Sequence, residues 1–301
     1  MSGRRPVVLI TGAAGFVGRH ACAWFAAQGY EVAALVRRAG SAPQGTSELR
    51  GDLDDPLAVR ALVRAARPDY ALHLAGANAV RRSWEEPLAY FRTNLMGTLH
   101  LLDAVRRSGR ACRVLVVGSL LDAPSGDPGA AAHPYSLSKT VQAGVSLAWG
   151  GLFEQEVLLA QPSNLIGPGE SAGICALLAR YAAGLERGEA LPPFRLSSRG
   201  EPRDYLDVRD AVRACARLLR EGRPGLAYPI GSGAMRSLGE VCDTVERLAR
   251  VPLPIRITGT TSQTQPARRP DLTQLRALGW RPEIPFERSI ADTLEYARRV
   301  V

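Results

Sequence analysis

Short, continuously apolar runs alternate with segments of helical period through the first half of this chain, and that alternation leaves few folds open. The runs lie at residues 6–11 (PVVLIT), 31–36 (EVAALV), 70–75 (YALHLA), 113–119 (RVLVVGS) and 156–161 (EVLLAQ). Between them, residues 16–28, 56–67, 87–108 and about 135–151 carry helical spacing. A strand exposed on one face alternates apolar with polar residues. An unbroken apolar run is buried on both faces, which requires a parallel sheet covered by helices on each side. The expected class is therefore α/β, with a doubly wound parallel sheet.

The first strand runs into Thr11-Gly-Ala-Ala-Gly-Phe-Val-Gly18 and a helix opens there. Gly12 allows a tight turn, Gly15 lets backbone approach a pyrophosphate, and Gly18 lets helix pack on strand. The backbone of Gly15, Phe16 and Val17 then offers free N–H groups at the positive end of a helix dipole. This is the fingerprint of a Rossmann dinucleotide site. An NAD site would carry an acidic residue at the end of the second strand for the ribose 2′-hydroxyl. Here that strand ends Val36-Arg37-Arg38. A guanidinium at Arg37 suits a 2′-phosphate, so NADP(H) is expected, with NAD(H) as the alternative. Asp52 and Leu53, after the next short strand, are placed near the adenine. Past residue 162 prolines and glycines become frequent, and helices at 172–187, 209–220, 238–250 and 286–299 are separated by short strands. The expected division is a Rossmann domain over 1–162 and, over 163–301, mainly a smaller α/β substrate-binding cap, with room for a return strand to the sheet.

The basic residues number 38, of which 37 are arginine and one, Lys139, is lysine. A lysine is a compact charge with three rotating donors, which a planar guanidinium does not imitate. Lys139 lies four residues after Tyr135, so the two project from one helix face. A free tyrosine has a pKa of about 10, and a cation one turn away favours its phenolate. Ser119, at the end of its strand, is positioned to hold a substrate carbonyl oxygen beside Tyr135. Ser119, Tyr135 and Lys139 are the candidate catalytic set. An isolated Y-x-x-x-K also arises as a surface tyrosine and a solvated lysine; the glycine motif and the solitary lysine argue against that here.

Composition excludes other classes. The net charge of +9 is spread along the chain without a block of like charges or interleaved aromatics, so no nucleic-acid partner is expected; the field suits an anionic ligand. No run of eighteen apolar residues and no leader-like N-terminus is present, so a cytoplasmic protein with no membrane partner is expected. Cys22, Cys112, Cys175, Cys215 and Cys242 are scattered and odd in number, as reduced thiols are. His20, His73, His100 and His133 show no metal-ligand spacing, and no metal is expected.

These features, together with HLAG at 73–76, NLMGTLHLLDA at 94–104, QPSNLIGPG at 161–169, RDYLDVRDAVRA at 203–214 and RRPDLTQLRALGW at 268–280, resemble the extended short-chain dehydrogenase/reductase family. That family contains nucleotide-sugar epimerases, dehydratases and reductases. The resemblance implies that Leu74, Ala75 and Gly76 line the cofactor and that Asn94 lies there too, supporting the lysine. It also implies that Ser119 and Asn164 face the sugar and that Arg203 and Arg269 grip the diphosphate. Within the family the chain is most similar to the branch that reduces GDP-4-dehydro-6-deoxymannose. The expected reaction is NADP(H)-dependent reduction of the C4 keto group of a nucleotide-diphosphate 4-keto-6-deoxyhexose. A C4 epimerase with retained NAD, a reductase of a non-sugar carbonyl and a non-catalytic dinucleotide sensor are the alternatives. Dehydratases carry an acidic residue shortly after the catalytic Ser/Thr; here Leu120 and Leu121 follow Ser119, with Asp122 as an offset substitute, and Gln161 stands where many members have arginine. The helices at 87–108 and 135–151 match those through which relatives dimerise, so a homodimer is expected.

Overall fold

The computed structural model describes residues 4–122, 126–259 and 268–300. The N-terminal half runs β1 (Val7–Thr11), α1 (Phe16–Ala27), β2 (Glu31–Val36), β3 (Ser47–Arg50), α2 (Pro56–Ala66) and β4 (Tyr70–His73). It continues with α3 (Val80–Glu85), α4 (Pro87–Phe91), a π-helical turn (Arg92–Met96), α5 (Gly97–Arg107), β5 (Arg113–Val117), α6 (Pro134–Leu152) and β6 (Val157–Pro162). Local chemistry sets several of these starts. Asp55 caps α2 by accepting from the Leu57 and Ala58 N–H groups, and Pro56 takes the first helical position, where no N–H is needed. His133 and Pro134 do the same for α6.

The second half begins with β7 (Asn164–Ile166), α7 (Ile174–Glu186), β8 (Phe194–Leu196), β9 (Pro202–Asp207), α8 (Val208–Glu221) and β10 (Ala227–Ile230). It ends with β11 (Met235–Ser237), α9 (Leu238–Leu248), β12 (Ile255–Ile257), α10 (Thr273–Ala277) and α11 (Phe286–Val300). A capping box between Ser237 and Glu240 opens α9.

Seven parallel strands form the main sheet in the order β10-β6-β5-β4-β1-β2-β3. The central strands carry the continuous apolar runs: β1 is buried at all five positions. On one face Phe25 of α1 and Leu218 of α8 cover Val8, Ile10, Leu72 and Leu158. On the other, Val59 and Val63 of α2 and Leu101, Leu102 and Val105 of α5 cover Leu9, Ala71 and Val116. A separate core joins α7, α9 and α11 around Leu178, Val241 and Ile290, beside a three-stranded sheet β11-β9-β7 and a two-stranded pair β12-β8.

After leaving the main sheet at Pro162 the chain comes back to it. β10 pairs with β6 in parallel, Ala227 opposite Leu159, and α8 lies in the same core as α1. The segment read as one helix over 87–108 is α4, the π turn and α5 in succession, and α3 precedes it. The apolar period survives the π turn, so spacing alone does not reveal it. The strand read as 113–119 ends at Val117, which leaves Gly118 and Ser119 just beyond the sheet edge.

Candidate active site

The carboxyl ends of the neighbouring parallel strands β1, β4, β5 and β6 share one edge of the sheet, the side on which open α/β sheets form their ligand cleft. At its floor, Gly12 turns with φ +66°, and a Cβ there would sit 2.8 Å from the Ala75 backbone nitrogen. A Cβ on Gly18 would meet the Gly12 carbonyl oxygen at 2.1 Å, so helix and loop are closer than any side chain permits. Gly15 caps α1 without a side-chain bond, which leaves the first-turn N–H groups of Phe16 and Val17 open to a ligand. The cradle therefore fits a pyrophosphate. Leu74 and Ala75 are half-buried and Gly76 exposed along the neighbouring edge. Phe16 packs edge-on to His20, and a Cβ on Gly169 would lie 2.9 Å from its ring.

Beyond β2, Arg37 and Arg38 are exposed, and no described residue pairs with the Arg37 guanidinium. Asp52 is exposed and accepts from the Asp54 N–H at 3.0 Å, while Leu53 is buried with its carbonyl bound to His100 Nδ1.

Tyr135 and Ser119 are close neighbours at this edge. Both are buried, Tyr135 to 5% exposure. Sequence reasoning had the neighbouring cation lowering the Tyr135 pKa. In the structure burial raises it, the neighbouring Ser119 hydroxyl opposes that rise, and Asp122 and Tyr90 add to it. The direction is set by desolvation of the phenolate, which outweighs the rest. Lys139, one turn along α6, is itself held down to about 8 by burial. Its ammonium donates to the Val117 carbonyl at 3.0 Å and to Gln142 Oε1 at 2.9 Å. Asn94, expected to support the lysine, instead accepts from the Ala77 N–H and donates to the Ala77 carbonyl and Ser138 Oγ. The direct side-chain support comes from Gln142, which the Y-x-x-x-K pattern does not mark. Its position three residues after Lys139, on the same helix face, is the signal that could have found it.

A second group lies at the cleft beside Ser119. Asp122 is buried, bonded through Oδ2 to Gln161 Nε2, with Arg268 Nη1 3.6 Å from Oδ1. Burial raises its carboxyl pKa, against the pull of Arg268 and Gln161. Asn164 on β7 spends its amide on the Asp204 carbonyl at 3.0 Å. Arg203 on β9 is largely buried and paired with Glu201 at 3.1 Å. Arg269 is exposed, with Nε 3.3 Å from the Gly233 carbonyl in the turn that leads into β11. Asn164 and Arg203 thus lie on strands of the three-stranded sheet, and Arg269 beside the turn into its strand β11. Among the described residues no group of three metal-ligating side chains occurs.

Residues 8–231 match the model of the NAD dependent epimerase/dehydratase family. The chain belongs to that family. As a member of the epimerase/dehydratase family it is an NAD(P)-dependent oxidoreductase of the extended short-chain dehydrogenase type. It is 30% identical to the GDP-6-deoxy-D-mannose reductase of Pseudomonas aeruginosa, over 95% of each chain. Among solved members it is similar to RMD from Pseudomonas aeruginosa complexed with NADPH, at TM-score 0.85 and 29% identity over 98% of this chain and 100% of that one. The Thermus thermophilus UDP-glucose 4-epimerase complexed with NAD is as near in shape, at TM-score 0.86 and 27% identity over 98% and 100%.

Proposed function

We propose that this protein reduces the C4 keto group of a nucleotide-diphosphate 4-keto-6-deoxyhexose with NADPH, as a GDP-4-dehydro-6-deoxymannose reductase does. The observation that carries the reading is the buried Tyr135 beside the buried Ser119, one helical turn from Lys139 and at the same sheet edge as the glycine cradle. A nicotinamide dinucleotide held by its pyrophosphate at that cradle would supply the hydride. Ser119 orients the substrate oxygen. Tyr135, its pKa raised by burial, stands protonated at neutral pH and donates its proton to that oxygen. Lys139 keeps most of its charge at pH 7, with its pKa at about 8, and stabilises the phenolate left behind. Arg37, exposed and unpaired among the described residues, is available for a 2′-phosphate. Arg203 and Arg269 offer guanidinium forks for a diphosphate and Asn164 a sugar contact. Leu120 and Leu121 follow Ser119 directly, and the Asp122 carboxyl beside it is engaged by Gln161 and faced by Arg268, which favours reduction over 4,6-dehydration.

The test mixes the purified protein with NADPH and a GDP-4-keto-6-deoxy sugar and follows nicotinamide absorbance. Oxidation is expected, falling on the order of 10²–10⁴-fold in Tyr135→Phe. Arg37→Ala is expected to weaken NADPH about tenfold while leaving NADH unchanged. The second reading is a C4 epimerase, favoured by the likeness in shape to the Thermus enzyme. No oxidation, with NAD released on denaturing the protein, would establish it and overturn the reductase.

A further inference from the structure

Behind the lysine lies a line of buried polar side chains that the Ser119–Tyr135–Lys139 chemistry does not use. Thr11, His73, Thr98 and Gln142 are each no more than 1% exposed and come from four different elements. Their donors and acceptors permit one arrangement. Thr98 Oγ1 lies 2.6 Å from the Asn94 carbonyl, 2.8 Å from Gln142 Nε2 and 2.8 Å from His73 Nε2. A hydroxyl has one proton, and the Asn94 carbonyl can only accept it. Gln142 and His73 must therefore both donate to Thr98. The histidine proton is then on Nε2, and its bare Nδ1 accepts from the Thr11 hydroxyl at 2.8 Å. Thr11 in turn accepts from the Ala75 N–H at the cofactor edge. With its NH₂ committed to Thr98, Gln142 has no freedom to flip, and its Oε1 faces the Lys139 ammonium.

We propose that Gln142 is a positioning residue for Lys139, held in a fixed amide orientation by Thr98 and His73. Of the three donors on the ammonium, one goes to the Val117 carbonyl and one to Gln142. The third is left for the side of Gly76, where an added Cβ would come 3.4 Å from Nζ. Gly76 is exposed, so the two fixed bonds aim the remaining N–H towards the open side of the site. The titratable groups around the ammonium are Tyr135 on its own helix and His73 from β4. His73 stays neutral, its pKa lowered to about 3 by burial and by Lys139. Gln142 thus supplies an acceptor to the charged lysine without placing a second charge in the site.

The inference rests on reading Lys139 as the catalytic ammonium, but its test needs no turnover. Because Lys139 is the only lysine in the chain, protein grown with ¹³Cε-lysine gives one side-chain resonance, whose pH titration in the unliganded protein reports this one ammonium. Gln142→Leu removes the acceptor and is expected to lower the lysine pKa by about one unit, the size of a hydrogen bond to a charged group. Gln142→Glu keeps the size, adds a negative charge and is expected to raise it by at least as much. Thr98→Val frees the amide to turn and should give a smaller fall. In the reductase assay Gln142→Leu should lower kcat about tenfold with little change in the KM of the sugar. A lysine titration that stays put in Gln142→Glu and in whichever other variant folds would overturn the proposal. A shifted titration in a protein that reduces no keto sugar would leave it standing and remove only the substrate assignment.

Discussion

His73 shows how far a single side chain can constrain this fold. It has no exposure, donates from one ring nitrogen and accepts at the other, and cannot take a proton without losing the Thr11 bond as it stands. Its folded pKa is about 3 against an ordinary 6.5. Below pH 6.5 the unfolded chain binds a proton that the folded chain refuses until about pH 3. Stability therefore falls as pH drops through that window, by up to about 1.4 kcal/mol per unit. His20 and His133, also held down by burial, act in the same direction. Urea unfolding at pH 7 and pH 5 should show the loss, and His73→Leu, less stable throughout, should show a flatter pH dependence. Equal slopes in the two proteins would remove His73 as the cause. Tyr135 and Lys139 were legible in the sequence because their spacing and the absence of other lysines single them out. The role of Gln142 was not. An isolated glutamine three residues further on reads equally well as surface, and only the positions of Thr98 and His73, set by two other elements, turn it inward.

Among elements, the β1–α1 connection is where the glycine spacing has a direct geometric cause. The glycines were legible there because the geometry tolerates nothing else: at Gly18 the obstruction is backbone, at Gly12 both backbone and a positive φ. Gly18→Ala is expected to cost about 3 kcal/mol by overpacking, whereas Gly29→Ala, with φ +81° and open space around it, should cost about 1. Thermal unfolding of the two variants side by side tests this, and equal losses would refute the packing argument. The π turn at Arg92–Met96 is the opposite case. One extra residue in the helix lets Asn94 reach Ala77 and Ser138 while Leu101, Leu102 and Val105 of α5 still face the sheet. A helical period read from sequence averages over such a turn, so the strongest local feature of that helix left no trace in the pattern.

For the whole molecule, the parallel sheet was legible from its apolar runs, but the three-residue strands β7, β8, β11 and β12 were too short to carry a period. The helix pair made by α4–α5 and α6 runs side by side, tied by Tyr90 against Tyr135 near one end and Arg106 over Phe153 near the other. Trp84 and Leu88 stand 64% and 76% exposed by the first end, and Leu152 stands 77% exposed by the second. Apolar side chains so placed fit an isologous contact with a second copy. We therefore expect light scattering to give the mass of a dimer and Leu88→Asp to shift it towards one chain. A parent protein that scatters as a single chain at micromolar concentration would refute this.

The return of the chain to its own sheet also governs the order in which the protein can be made. Strand β6 has emerged from a ribosome well before β10, its outer neighbour, exists. Until some seventy further residues have been added, the nascent sheet carries an unpaired edge at β6 and an uncovered apolar face where α8 will lie on α1. Edges of that kind recruit other strands, so this stretch of synthesis is where the unfinished sheet is most open to mispairing.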